Sequence, residues 1–343
     1  MSRRVQVVIG VLLAVVLTVL FLRQADLAEV GRQIVEAEPG WLVVAVGVTF
    51  FTMLQRAWRW QSLLAPVARV RVSLLLACTL MGWTVNVVLP GRLGEVARPV
   101  LASRRSEVPA GAAIGSIVLE RIFDALAVLV VLAVYLTFLP PPTGLGDEGR
   151  AMMAALRTTG VVGLLSGFAG LGGGMLLLRR PQGASRLLGR LLESLPARLA
   201  ELARTFLFGL ASLRDPRRVL GIFVHSLFLW VAIGSTYWFL FLAMDIRLPW
   251  YSIPSLLALL VVGVMVPTPG GVGSFHKAAQ IGLVSLWGID NELAVAYAIV
   301  SHGVAFLPTA AVGLLLLVRE GVGWRSLRQL RGEEPEESVS ATV

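Results

Sequence analysis

Asn86-Val87-Val88-Leu89-Pro90-Gly91-Arg92-Leu93-Gly94-Glu95-Val96-Ala97-Arg98 sits in the middle of an apolar segment, 72–103, and breaks it. Pro90 has no backbone donor and Gly91 frees the backbone, so no regular helix runs straight through this stretch. A second apolar segment, 252–287, is broken in the same way by Pro267-Thr268-Pro269-Gly270-Gly271. At membrane depth such breaks survive only where protein or a water-filled cavity covers the freed backbone groups.

The surrounding chain makes membrane depth the right setting. Of 343 residues 56% are hydrophobic and only 15% charged, and the mean hydropathy is +0.79. A soluble domain of this length carries far more charge. Unbroken apolar runs at 5–22, 41–64, 109–139, 152–178, 219–243 and 294–318 each approach the roughly 20 residues that a bilayer requires. The expected fold is all-α: a polytopic membrane helical bundle, one domain over 1–320, with the two broken segments as re-entrant helices. Ser2-Arg3-Arg4 precedes the first run and Arg23-Gln24-Ala25-Asp26 follows it without a small-residue cleavage site, which predicts an uncleaved helix.

Charge orients the bundle. Net charge is +9, and every basic residue except Lys277 is arginine. The arginines flank apolar runs and do not form a patch with interleaved aromatics, so no nucleic-acid partner is expected. Stretches 1–4, 65–71, 104–107, 179–218 and the tail from Arg319 hold 19 arginines; the remaining loops, with Arg157, hold 5. This bias predicts a multi-pass protein of the cell membrane with both termini in the cytoplasm. It also requires segment 72–103 to enter from and return to the cytoplasm, and 252–287 to do the same from outside, which implies an inverted repeat. The alternative is two kinked spans in each segment.

Stretch 179–218 is an arginine-rich linker. Within it Leu188, Leu191, Leu192, Leu195, Leu199, Leu202 and Phe206 form one stripe, which suits a helix in the headgroup region or a solvated linker. Leu27, Val30 and Ile34 make a shorter stripe on the outer side. The end of 321–343 reads as a disordered tail. Cys78 stands alone, so no disulfide framework exists.

Ionisable residues inside spans are functional suspects by default. In the first break Arg92, Glu95 and Arg98 share a face if the chain turns helical after Pro90, and a helix N-terminus beside Asn86, Pro90, Gly91 and Gly94 adds donors suited to a phosphate. An ion-paired turn that only holds the hairpin is the other reading. Glu120, Arg121 and Asp124 lie deep in the run 109–139, as a proton relay or as partners for Arg92 and Arg98. In the second break Pro267, Pro269, Gly270, Gly271 and Gly273 precede His276 and Lys277; the lysine either binds an anion or snorkels. Arg56, Arg59 and Trp60, with Trp58, read as cytoplasmic anchors. The three histidines lack metal-ligand spacing and no Walker loop occurs, so no metal or cofactor is expected and the protein is not expected to be an enzyme; a membrane-embedded transferase using Glu120 and Asp124 is the remaining alternative.

Arg56-Ala57-Trp58-Arg59-Trp60 with Leu63-Leu64, the Leu-Pro-Gly-Arg-Leu-Gly-Glu core of 86–98, Glu120-Arg121 with Asp124, and Pro267 to Gly273 resemble, in this order, the transmembrane region of lysylphosphatidylglycerol synthases. The resemblance covers roughly 5–320. It implies opposed re-entrant helices and movement of a lipid headgroup between leaflets, with anionic membrane lipids as partners and an enzyme partner at the cytoplasmic face as the alternative. The chain departs from the family pattern in having His276 where a glutamate is often found. It also ends soon after the last helix, so a stand-alone member without an aminoacyltransferase domain is expected.

Overall fold

A computed structural model describes residues 3–320 except 24, 90, 91 and 180–195. Among these residues there is no strand and there are twelve α-helices. They are α1 (Arg3–Leu22), α2 (Leu27–Val35), α3 (Pro39–Leu64), α4 (Val72–Val88), α5 (Gly94–Arg105), α6 (Ala110–Phe138), α7 (Asp147–Arg179), α8 (Ala197–Gly209), α9 (Pro216–Ala243), α10 (Ile253–Met265), α11 (Ser274–Ile281) and α12 (Asn291–Arg319). The long helices start within a few residues of the apolar runs, with Pro39 and Pro216 in the first turns of α3 and α9, where a missing donor costs nothing. The Pro90 and Gly91 of the first break, most of the leucine stripe before Pro196, and the tail beyond 320 lie outside the described residues.

By length and composition α3, α7, α9 and α12 can each cross a bilayer, and a fifth span results if α1 and α2 count as one across an 88° bend. The chain is a polytopic helical bundle. α6 is also of crossing length, at 29 residues, but half of it is enclosed by other helices and it bears three charges near its middle.

The two broken segments are helical hairpins. α4, at 17 residues, is about 25 Å long, and α5, α10 and α11, at 12, 13 and 8 residues, are shorter still, so none matches a bilayer of about 30 Å. Each pair folds back on itself through glycine. A Cβ at Gly94 would collide with the Gly82 carbonyl and the Asn86 side chain, and Asn86 Oδ1 accepts the Gly94 N–H at 2.7 Å. A Cβ at Gly263 would lie 2.7 Å from Ala278 Cβ. Close backbone approach of this kind is how helices associate where lipid offers no hydrophobic drive.

The hairpins point toward each other. α3 and α9 run antiparallel: Ser212 just before α9 donates to Leu63 O at 2.8 Å, and at the other end Glu38 N donates to Ala243 O at 2.7 Å. The first hairpin follows the C-terminus of α3 and the second follows the C-terminus of α9, so they enter from opposite ends. The order long, short, short, long recurs in α3–α6 and α9–α12 with opposite direction, which is the pattern of an inverted repeat. The loops sort the same way. Arg105 pairs with Glu320 and Gly111 packs on Thr205 at one end, while Gly149 packs on Ser285 and Gln280 bonds Asn291 at 2.7 Å at the other.

Three buried clusters fill the bundle, the smallest joining Leu132, Tyr135, Leu156, Ala258 and Leu286. Of the other two, one, with Trp60, Leu63, Leu75, Cys78 and Phe123, surrounds the first hairpin; the other, with Phe241, Phe275, Leu283 and Tyr297, surrounds the second. Cys78 is fully buried. α8 carries the described end of the leucine stripe. Leu199 and Leu202 face outward, and the helix grips α6 through its opposite side, with Gly111 and Gly115 against its backbone.

Candidate functional site

The first hairpin, α3 and α6 enclose a network of seven charges. Arg59, on α3, is fully buried; it bonds Asp124 at 2.5 Å and Ser226 Oγ at 2.9 Å, and lies 3.4 Å from Glu120. Arg98, from α5, donates to Glu120 at 2.8 Å, and its guanidinium stacks 4.0 Å over the Trp60 ring. Arg121 reaches Glu120 at 2.6 Å, Asp124 at 3.3 Å and Glu95 at 3.6 Å. Arg56 stands 3.9 Å from Asp124. Trp230 Nε1 donates to Asp124 at 3.0 Å, and Trp60 Nε1 to Ser116 at 2.8 Å.

Spacing on each helix explains the convergence. Glu120 and Asp124 are one turn apart on α6, as Arg56 and Trp60 are on α3. Gly94 lets α5 lie flat on α4, which carries Glu95 and Arg98 to that face.

Four arginines face three carboxylates, so the network holds an excess of one positive charge. A charge withdrawn from water is costly unless it is paired and hydrogen-bonded. Yet the buried Nε of Arg56, Arg59, Arg98 and Arg121, a terminal nitrogen of Arg59 and of Arg98, and one oxygen of Glu120 and of Asp124 make no hydrogen bond. Gln55, buried one turn before Arg59, leaves both amide atoms unbonded. Among the described residues the network thus leaves six guanidinium nitrogens and two carboxylate oxygens without a hydrogen bond. Its edge is open: the Arg121 side chain is 41% exposed, between the exposed Val118 and Ile122 of α6.

Arg92 is placed differently. α5 begins only at Gly94, so Arg92 precedes the helix, with a left-handed φ of 54°, and does not share a helical face with Glu95 and Arg98. The guanidinium donates to the carbonyl of Val264, at the end of α10. It ties the two hairpins together where Gly270 also lies 3.2 Å, by a would-be Cβ, from Val87 O. A clamp made of Arg92 and Arg98 side by side is therefore corrected: Arg98 belongs to the buried network and Arg92 to the seam. Glu95 pairs with Arg121.

The anchor reading of Arg56, Arg59 and Trp60 is also corrected. All three are buried, and only Trp58 faces outward. Leu63 and Leu64 extend α3 past them, which sets them inside the bundle and not at its edge.

His276 and Lys277 lie on α11, in the other hairpin. Lys277 Nζ donates to Gln280 at 2.8 Å, away from the network. Gly270, Gly271 and Gly273 adopt φ of 58°, 72° and 81°, the region glycine reaches without strain. Pro267 and Pro269 flank the same turn. Sequence reading missed Gln55, Ser116, Trp83, Ser226, Trp230 and His302. A lone polar residue in an apolar helix was their one signal, and it names no partner.

Among known proteins the chain matches the family described as lysylphosphatidylglycerol synthase TM region over residues 7–313. It is also 28% identical over 163 residues to a protein of Haloferax volcanii named Glycosyltransferase AglD; the match takes in 47% of this chain and 25% of that protein. No solved structure matches. With the family match covering nearly all of the helical bundle, the chain belongs to the lysylphosphatidylglycerol synthase transmembrane-region family.

Proposed function

We propose that this protein moves an anionic phospholipid or a phosphate-linked lipid between leaflets of the cell membrane, as a flippase- or scramblase-like transporter and not as an enzyme. The observation behind this reading is the buried excess of one positive charge with unbonded guanidinium donors. A phosphodiester carries one negative charge and accepts the paired donors of a guanidinium, so it neutralises the network and satisfies it at once. The partly exposed Arg121 meets the headgroup first, and Arg98 and Arg59 lie deeper. Arg92 couples occupancy of the first hairpin to the second through Val264. The arginine excess at the ends of α3, α5 and α12 supports termini on the cytoplasmic side.

The test is leaflet exchange of fluorescent phosphatidylglycerol in liposomes that hold the purified protein. Exchange by wild type, reduced at least ~10-fold in Arg121→Gln and in Arg92→Ala, is the expected result. Wild-type protein that moves no anionic lipid would sink the reading.

A second reading rests on the name of the Haloferax volcanii relative. There the bundle would hold or recruit an enzyme that acts on a phosphate-linked sugar, docked at the basic end formed by Arg69, Arg71, Arg214, Arg217 and Arg218. Turnover of such a lipid by the pure chain would make it a transferase in its own right; turnover only with an added enzyme would make it a partner.

A further inference from the structure

His276 and His302, 26 residues apart in sequence, meet at the tip of the second hairpin with ring centroids 4.6 Å apart. His302 lies 2.8 Å by Nε2 from the carbonyl of Gly270. A carbonyl only accepts, so that nitrogen carries a proton. His276 Nδ1 accepts the backbone N–H of Gly273 at 3.3 Å, so that nitrogen carries none. Each imidazole thus holds one glycine of the tip, and each glycine makes a close contact with another element. Gly270 abuts Val87 at the end of α4. Gly273 fits against α1 so tightly that a Cβ would lie 2.8 Å from the Ala14 carbonyl.

We propose that the His276–His302 pair is a proton-binding site that latches the second hairpin. With both rings neutral the tip is held; one proton, taken onto Nδ1 of His276, removes the acceptor for the Gly273 N–H and frees the tip. The donor is a hydronium ion, which leaves as water; no other covalent bond changes, and the pair gains one positive charge. A second proton meets the first cation across 4.6 Å, so the pair behaves as a site for one. A proton on the other nitrogen of His302 leaves its bond to Gly270 intact, which makes His276 the switch.

The surroundings set the sign. α11 itself brings Lys277, whose Nζ turns to Gln280. α1 packs Phe21 on His276 at 5.2 Å and has no ionisable residue between Ile9 and Leu22; Arg23 stands at its end, beside Lys277. α10 has none, and neither has the π-helical turn 282–286 after α11. Arg92 arrives from the first hairpin against Val264. On α4 only the buried Cys78 is ionisable, and α2, which packs on α12, carries Glu29 and Arg32, paired with each other. From α3 comes Arg56, reached through rings: His302 stacks on Phe306 at 4.4 Å, Phe306 on Trp83 at 5.4 Å, and Trp83 lies 5.8 Å under the Arg56 guanidinium. Among the described residues neither ring has a carboxylate as an ion-pair partner. The closed tip therefore offers an imidazolium cations and no counter-ion, and acid favours the released tip. By way of the lipid movement proposed above, on which this consequence rests, proton uptake opens the second hairpin and speeds exchange.

Labelling of Val272→Cys in nanodiscs tests the latch without transport. Val272 is 38% exposed at the tip, and the native Cys78 is fully buried. Rates are normalised to Val35→Cys, on exposed α2. As pH falls from about 8 to about 5.5 the normalised rate is expected to rise ~5-fold. His276→Gln accepts the Gly273 N–H at any pH and takes no proton, so its rate should stay flat; His302→Gln should keep the rise. A flat rate in the protein with both histidines overturns the latch, and that profile decides even if a histidine variant misfolds. Leaflet exchange at the same pH values separates the two ideas. Acid-dependent labelling without exchange keeps the latch and removes lipid movement, whereas exchange with pH-independent labelling removes the latch alone.

Discussion

The two hairpins share an architecture and differ in what holds them. The first, α4 and α5, closes on Gly82, Asn86 and Gly94 and is then locked sideways by charge, with Glu95 and Arg98 joined to α6 and α3. The second, α10 and α11, carries no carboxylate. It is held by backbone turns at Gly270, Gly271 and Gly273, by the hydroxyls of Thr268 and Ser274 at 3.0 Å, and by edge-on and tilted contacts among the rings of Phe21, Phe275, His276, His302 and Phe306, of which only His302 and Phe306 stack. Buried charges are strongly geometry-dependent and expensive to disturb, whereas ring stacks and single hydrogen bonds each contribute little and exchange readily. The comparison separates a half held by buried charge from a half held by weaker contacts that exchange more readily.

The largest effect should come from removing one carboxylate from the half held by charge. Glu120→Gln leaves four arginines facing two carboxylates, and a broken buried pair typically costs about 3–5 kcal/mol. Unfolding in detergent should show that loss, and a change under about 1 kcal/mol would mean that the network is wet and the division is false.

The glycine seams sharpen the contrast. Gly94→Ala drives a methyl into the Gly82 carbonyl, at the charged hairpin, and should cost about 3 kcal/mol. Gly263→Ala meets Ala278 Cβ at 2.7 Å and Ser274 O at 2.8 Å, and the looser hairpin should yield for about 1–2 kcal/mol. Equal losses would erase the difference between the halves.

The smallest effect lies on α2, where Arg32 pairs with Glu29 at 2.5 Å and Glu36 at 2.8 Å at the surface. The hydrogen bond from Arg32, with a second from Gln33, holds the Glu29 carboxyl below its ordinary range. That contribution is present above the ordinary carboxylate range and lost as pH falls through the lowered value. Water screens it, so Arg32→Ala should leave the melting temperature unchanged at neutral pH. A measurable drop would show that charge matters outside the first hairpin as well.

How much of the candidate site was legible depends on the residue. Arg98, Glu120, Arg121 and Asp124 announced themselves because charge inside an apolar run has no cheap local explanation. Arg56, Arg59 and Trp60 carried the same signal but stood near a helix end, where anchors are common, and the wrong reading was locally reasonable. His302 was passed over because spacing along one chain shows nothing of a partner 26 residues away.

The sequence by itself determined the helices, the two breaks, the segregation of arginine to one set of loops and the family. Hydropathy, proline and glycine act over a few residues, and bilayer thickness turns them directly into spans and hairpins. Only the tertiary structure decided that Arg92 and Arg98 serve different places, that α3 brings arginines to the carboxylates of α6, and that two histidines meet at the second tip. Those facts depend on how helices distant in sequence rotate and pack, and in a bilayer that is set by close glycine contacts and pairwise polar bonds between segments.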